Sequence, residues 1–117
     1  MDIQRFDPAT AHRAHNDTIL ASAFVPEGIK PPFDSAWGYL ENGSAMEAHA
    51  HPTEEIYVVI RGTGTVQVGE ERRAVGPGDV IAIPPDAPHT MACEDGGPLL
   101  WAALWWTPPA SPAEAGP

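Results

Sequence analysis

The sequence predicts a single all-β domain, a double-stranded β-helix or jelly-roll barrel with an N-terminal arm. Its 117 residues, 43% of them hydrophobic, are enough for one buried core and give no reason to expect a second domain. From residue 35 onward the chain consists of short β-rich runs separated by Gly, Pro and Asn or Asp. Eight such runs fit an antiparallel double-sheet barrel.

The first 35 residues are predicted to form an arm that packs on the barrel. They are rich in proline and contain one weak helical stretch, Pro8 to His15, which is too short to be stable by itself. His12 and His15 in this stretch are interpreted as a surface pair, neighbours on a helical turn.

The barrel is predicted to span residues 36–106. Glycine-rich segments at 61–64, 69–71, 76–79 and 95–98 mark the ends of strands, because glycine adopts positive φ at little cost. The runs between and around them are 36–40, 45–51, 55–60, 64–68, 72–75, 80–83, 89–93 and 99–106. Residues 107–117 have no apolar side chain larger than Ala or Pro and are predicted to form a disordered tail.

The charge balance excludes some classes of partner. Sixteen acidic residues against six basic ones give a net charge of −10, which repels phosphate backbones and anionic lipid headgroups, so we expect neither nucleic acid nor membrane as a partner. The longest apolar run, 98–106, is shorter than the ~20 residues that cross a bilayer, and the first residues do not read as a secretion signal. We therefore expect a cytoplasmic protein.

Three histidines and one glutamate form a candidate metal site. His49 and His51 alternate along an extended run, so both side chains point to the same face and reach one ion. Glu55 follows at the start of the next run, and His89 comes directly after the proline-rich segment 84–88. A single cysteine, Cys93, excludes an internal disulfide and four-thiolate zinc sites. Imidazoles with one carboxylate suit a divalent first-row transition metal.

These residues resemble the cupin superfamily, in particular its small single-domain members of the cupin-2 type. The first cupin motif, G(X)5HXH(X)3–4E(X)6G, is matched at every fixed position, by Gly43, His49, His51, Glu55 and Gly62. The second motif, G(X)5PXG(X)2H(X)3N, is matched by Gly78, Pro84 and His89. It departs from the pattern at Asp86, where the family has Gly, and at Cys93, where the family has Asn.

The resemblance implies an antiparallel barrel with a metal ion inside one end. Three imidazoles and one carboxylate would hold the ion and leave about two positions for water or a ligand. The expected cofactor is one divalent ion of Fe, Mn, Ni, Cu or Zn, and the resemblance does not specify which. Small cupins usually form homodimers, and the four tryptophans would be shared between the core and such an interface.

Strand parity predicts the remaining pocket residues. Tyr57 and Val59 share a face with Glu55, while Met91 and Cys93 share a face with His89, so these four are expected to line the pocket. Tyr57 is expected mainly to pack. Cys93 has a second interpretation as a small buried apolar residue.

Glu47 has the same parity as His49 and His51. It is a candidate hydrogen-bond acceptor that orients a ligand imidazole, or a proton acceptor for substrate. The alternative is a solvated residue at the start of a strand.

Two classes of function remain open at this stage. The first is a metal-dependent enzyme on a small organic substrate, either an oxidoreductase of dioxygenase type or an isomerase or lyase, with Glu55 also serving as a base. The alternative is a non-catalytic barrel that binds or senses a small molecule. A storage-type barrel is a third interpretation, which the complete ligand set disfavours. Fold alone does not decide among these.

Overall fold

The computed structural model of the protein describes residues 1–93 and 96–109. Within those residues there are nine strands and no helix. The strands are β1 (His12–Ala14), β2 (Ile19–Ser22), β3 (Asp34–Leu40), β4 (Glu54–Arg61), β5 (Gly64–Val68), β6 (Glu71–Val75), β7 (Val80–Ile83), β8 (His89–Ala92) and β9 (Leu99–Trp106). The predicted all-β class is confirmed.

Two antiparallel sheets enclose the core. The larger sheet has the strand order β1-β2-β3-β9-β4-β7, and the smaller one has the order β6-β5-β8. Inward-facing side chains alternate along the central strands, as Tyr57 and Val59 do on β4 and Leu99 and Trp101 do on β9. They meet residues such as Met91 from the smaller sheet in one hydrophobic cluster. The sandwich therefore has a single core, with the site at one end of it.

Seven of the predicted runs coincide with strands, and the run at 45–51 does not. That segment lies alongside β8 and makes only isolated bridges, from Ala45 to Ala92 and from His49 to His89. Met46 is buried whereas Glu47 is exposed, so the segment does not keep one strand phase through to His49. Because the segment is irregular, it can bury Met46 in the core and still direct the imidazoles of His49 and His51 toward Glu55 and His89.

The weak helix expected over residues 8–15 is absent, and a hairpin replaces it. Residues 8–10 form a turn, and β1 pairs with β2, which buries Ile19 and Leu20. A stretch of this length gains little from helix formation, whereas the hairpin extends the larger sheet and buries apolar side chains. Tertiary packing therefore determines the conformation of this segment.

The N-terminal residues pack on the outer face of the larger sheet. The rings of Phe6 and Phe24 lie 6.1 and 4.8 Å from the ring of Trp37 on β3. Residues 110–117 of the predicted tail, and residue 95 of a predicted turn, lie outside the described residues. The described ranges contain no apolar helix of bilayer-spanning length.

Candidate metal centre

His49 and His89 face each other across a pair of backbone hydrogen bonds. The His49 N–H donates to the His89 carbonyl at 3.2 Å, and the His89 N–H donates to the His49 carbonyl at 2.9 Å. Directly opposed residues in an antiparallel pair place their side chains on the same face. The two ring centroids are accordingly 4.2 Å apart.

Glu55 and His51 complete the cluster from the neighbouring segment. Glu55, the second residue of β4, is only 5% exposed, and its Oε1 lies 3.0 Å from His51 Nε2 and 3.3 Å from His89 Nε2. The loop that carries His51 is held by Asp86, whose N–H donates to the His51 carbonyl at 2.7 Å. The turn before β8 thus connects the two halves of the site.

Each of the three imidazoles is oriented by a main-chain carbonyl near its Nδ1 atom. His49 Nδ1 lies 3.2 Å from the Glu47 oxygen, His51 Nδ1 lies 3.1 Å from the Thr53 oxygen, and His89 Nδ1 lies 2.9 Å from the Ala87 oxygen. An Nδ1–H that donates to a carbonyl leaves the Nε2 lone pair free for a cation. This arrangement is the usual support for histidines that bind a metal.

The donor set fits a divalent transition metal. One ligand atom from each of the four side chains lies within 4.8 Å of the others, close enough for one ion to contact all four: His49, His51, Glu55 and His89. His89 Nε2 is buried and makes no hydrogen bond to any described residue, although Glu55 Oε1 lies 3.3 Å away. A buried nitrogen without a partner is costly unless something binds it. The cluster can hold one ion, and its chemistry does not specify which metal.

A cavity of about 380 Å³ is lined by three of the four cluster residues, His49, His51 and Glu55. Its walls include Tyr57, Trp101 and Trp105, and the residues that line it include no lysine or arginine within the described chain. A larger groove of about 510 Å³ lies beside β6 and β7 and contains none of the four cluster residues. The site therefore has space for a small, largely apolar molecule next to the four side chains.

Burial changes the titration of groups around this cavity. Desolvation raises the pKa of Tyr57 well above 10.0, and the negative charge of Glu55 acts in the same direction. The phenol is therefore protonated and can donate a hydrogen bond. Burial also lowers the pKa of His49 below its ordinary value of 6.5, which favours the neutral imidazole that a metal ion requires.

Of the four residues expected from parity to line the pocket, Tyr57 does so and the others lie deeper. Val59, Met91 and Cys93 point inward and are buried, but they are not among the residues that line the cavity. Trp101 is both a member of the buried core and part of the cavity lining. The Cys93 thiol donates to the Glu41 carbonyl at 3.0 Å, as a buried structural cysteine.

Glu47 supports the site through its main chain. Glu47 is exposed, and its main-chain carbonyl oxygen lies beside His49 Nδ1. Strand parity had suggested that the Glu47 carboxylate orients the imidazole, because that argument assumed a regular strand through residues 45–51.

His15 is a site residue that the sequence interpretation missed. Its ring is stacked on that of His49, with the centroids 4.0 Å apart and the planes 23° apart, and it lines the cavity. Burial lowers its pKa. The run His15-Asn16-Asp17 could have indicated a tight turn, because His, Asn and Asp are the non-glycine residues that best tolerate positive φ. In the structure all three adopt positive φ.

Comparison with known proteins identifies the family. The Cupin domain family matches residues 37–107, more than half of the chain. The chain belongs to the cupin family. A solved cupin-2 conserved barrel protein from Salinispora arenicola is similar in structure, with a TM-score of 0.79 and 25% identity over 91% of this chain and 88% of that one.

Two curated relatives match shorter parts of this cupin. Dimethylsulfoniopropionate lyase DddQ of Ruegeria pomeroyi is 34% identical over 68 residues, which are 57% of this chain and 33% of the lyase. An uncharacterised protein of Methanocaldococcus jannaschii is 44% identical over 50 residues, 42% of this chain and 40% of that protein. The chain spans about a third of the first relative and two fifths of the second.

Proposed function

We propose that this cupin is a metal-dependent lyase or isomerase that acts on a small organic molecule without consuming O₂. His49, His51, Glu55 and His89 would hold one divalent transition metal ion. The observation that carries the proposal is that three of these four residues, His49, His51 and Glu55, line the 380 Å³ cavity. Structural metal sites are closed by protein ligands, whereas catalytic ones leave room for substrate.

Such a reaction also needs a hydrogen-bond donor and a proton acceptor, which Tyr57 in the cavity wall and the ligand Glu55 would supply. When bound, the ion would act as a Lewis acid toward a carboxyl or carbonyl oxygen of the substrate. Tyr57 lines the cavity with its hydroxyl protonated and would donate a hydrogen bond to that oxygen. Glu55, within reach of both His51 and His89, would serve as a ligand and as the acceptor of a substrate proton.

The similarity to a named lyase supports non-oxidative chemistry over dioxygenase chemistry. The Ruegeria pomeroyi relative is a lyase by name, and its 34% identity is over 68 residues of this chain. Its name also suggests the first substrate to test, dimethylsulfoniopropionate. Aromatic walls without lysine or arginine are compatible with a cationic sulfonium group, which aromatic faces attract.

The test begins with the metal and ends with the product. Purified protein is analysed for bound elements and then reconstituted separately with Fe(II), Mn(II), Ni(II), Cu(II) and Zn(II). Each form is incubated with dimethylsulfoniopropionate and with a panel of small hydroxy, keto and β-substituted carboxylic acids, in an oxygen electrode with NMR detection of product. Product without O₂ uptake supports the proposal.

Other outcomes point to other functions. O₂ uptake coupled to product would mean a dioxygenase, and ligand binding without product would mean a binding or sensor barrel. Tyr57→Phe is the matched variant, because it removes the hydroxyl and keeps the buried ring. It should keep its metal and lose most of the turnover, by about 100-fold or more if the hydroxyl contacts the reacting oxygen.

We also propose that the protein forms a homodimer through the outer face of the larger sheet. Ile56, Val58 and Leu104 are only partly buried on that face, and Val80 beside them is 62% exposed. Neighbouring apolar side chains of this kind favour association. Light scattering should give twice the chain mass for the wild type and a lower mass for Val80→Lys. A wild-type monomer would contradict the proposal.

A further inference from the structure

His15, in the turn between β1 and β2, packs against a metal-ligand candidate without belonging to the ligand set. We propose that it is a positioning residue of the metal centre, which holds the imidazole of His49 by face-to-face stacking. The inference rests on the proposed metal site and goes beyond it, because it makes the N-terminal hairpin a working part of that site.

The His15–His49 contact differs from the other contacts between these imidazoles. Its planes are 23° apart, whereas the planes of His49 are 48° and 58° from those of His51 and His89. Two nearly parallel rings with centroids 4.0 Å apart cover one another, so His15 restricts rotation of the His49 side chain.

His49 is one of the two members of the set that lie outside the strands, and only an isolated bridge to His89 holds its backbone. Glu55 and His89 are buried within β4 and β8, whereas His49 and His51 are partly exposed and lie outside any strand. Fixing a loosely held side chain costs conformational entropy when a ligand binds. A ring already stacked in position reduces that cost.

Hydrogen bonds connect the hairpin turn to the segment that carries His49. The Thr18 hydroxyl donates to the His15 carbonyl at 2.7 Å and accepts the Glu47 N–H at 2.8 Å. The Glu47 carbonyl in turn lies 3.2 Å from His49 Nδ1. The backbone of His15 is thus connected, through Thr18 and Glu47, to the Nδ1 atom of His49.

The turn conformation guides the choice of variants. His15 has φ 50°, a region that Asn also tolerates, so His15→Asn removes the ring with little added backbone strain. His15→Phe keeps an aromatic ring and removes the nitrogens. His12→Asn is the matched control, because His12 lies on the same hairpin and is exposed.

The experiment measures Co(II) affinity and the visible absorption spectrum of the Co(II) protein for the wild type and the three variants. We expect His15→Asn to bind Co(II) at least about tenfold more weakly, the effect typical of losing a group that orients a ligand, and to show an altered spectrum. His15→Phe should stay within about threefold of the wild type, since a stacked ring is retained. His12→Asn should match the wild type.

Two results would overturn the inference. One is wild-type affinity and spectrum in His15→Asn, and the other is equal weakening in His15→Asn and His15→Phe. If His15→Phe does not fold, the comparison of His15→Asn with His12→Asn decides, and equal loss in those two counts against a specific role. A wild type that binds metal without turning over any substrate would contradict the proposed enzyme and leave this test intact.

Discussion

Gly38 on β3 lies directly opposite Trp101 on β9, and a Cβ atom at Gly38 would overlap the indole ring. Trp101 is 1% exposed and also packs against Tyr57, with the ring centroids 5.6 Å apart. The missing side chain at position 38 therefore sets where the indole lies. Since both residues line the cavity, it also sets the shape of the cavity wall.

Gly38→Ala should destabilise the protein by about 1–3 kcal/mol, because the added methyl group must displace a large ring in a packed core. The measurement is the free energy of unfolding in urea. Gly76→Ala is the control, since the nearest atom to its Cβ would be the Thr63 methyl at an ordinary 3.6 Å. Equal stability of the two variants would contradict this account of Gly38.

The family motif predicted the ligand positions because it encodes backbone geometry as well as chemistry. Gly62, its last residue, has φ 88°, and a Cβ there would collide with the Pro98 carbonyl oxygen. Asp86, the departure from glycine in the second motif, has φ 64°, which Asp tolerates. Neither departure, Asp86 or Cys93, lies in the cavity lining. Asp86 instead holds the His51 carbonyl through its N–H, and Cys93 packs as a buried thiol.

What the sequence could not predict depends on contacts between distant segments. Parity indicated correctly that Met91 and Val59 point inward, but the cavity is lined by Trp101 from another strand and not by these two residues. The approach of His15 to His49 requires a hairpin that becomes favourable only when Ile19 and Leu20 are buried by the barrel. The periodicity of a short stretch of sequence predicts neither the residues that line the cavity nor the contact between His15 and His49.

His49→Ala and His89→Ala should each lower metal affinity by more than about 100-fold, since each removes one of four ligands and not merely its support. Elemental analysis after dialysis against a weak chelator measures the effect. His12→Ala is the control. Circular dichroism of the metal-free proteins checks the fold, which matters most for His89 because it is 1% exposed. Unchanged metal content in both variants would contradict the assignment of His49 and His89 as metal ligands.

Bound metal should be lost as the pH falls through the imidazole range near ~6.5, because protons compete for the Nε2 atoms of three histidines. A titration of metal content against pH measures this. His15→Asn should lose metal at a higher pH than the wild type, since a weaker site competes less well with protons. Full retention down to about pH 4 would contradict a site with three imidazoles.

The metal-free protein should become less stable as the pH falls below 6.5. Burial lowers the pKa of both His15 and His49 in the folded state, so below 6.5 the unfolded chain binds more protons than the folded one. Neighbouring charges modify this: Glu55 raises both pKa values and His89 lowers both, but burial is the largest cause for each. The free energy of unfolding contributed by these two groups is thus present above pH 6.5 and decreases with acid.

Urea unfolding in the presence of a chelator, at pH values above and below 6.5, measures how the free energy of unfolding changes with pH. Replacing one histidine at a time shows which residue causes the change. His15→Asn and His49→Asn should each flatten the dependence, because Asn does not titrate. His12→Asn is the control, since His12 lies on the same hairpin but is not among the residues that line the cavity. A slope that survives in both cavity variants would mean that other groups cause the loss in acid. A slope that flattens in both would show that these two imidazoles are held neutral before any metal arrives, which is the state that metal binding requires.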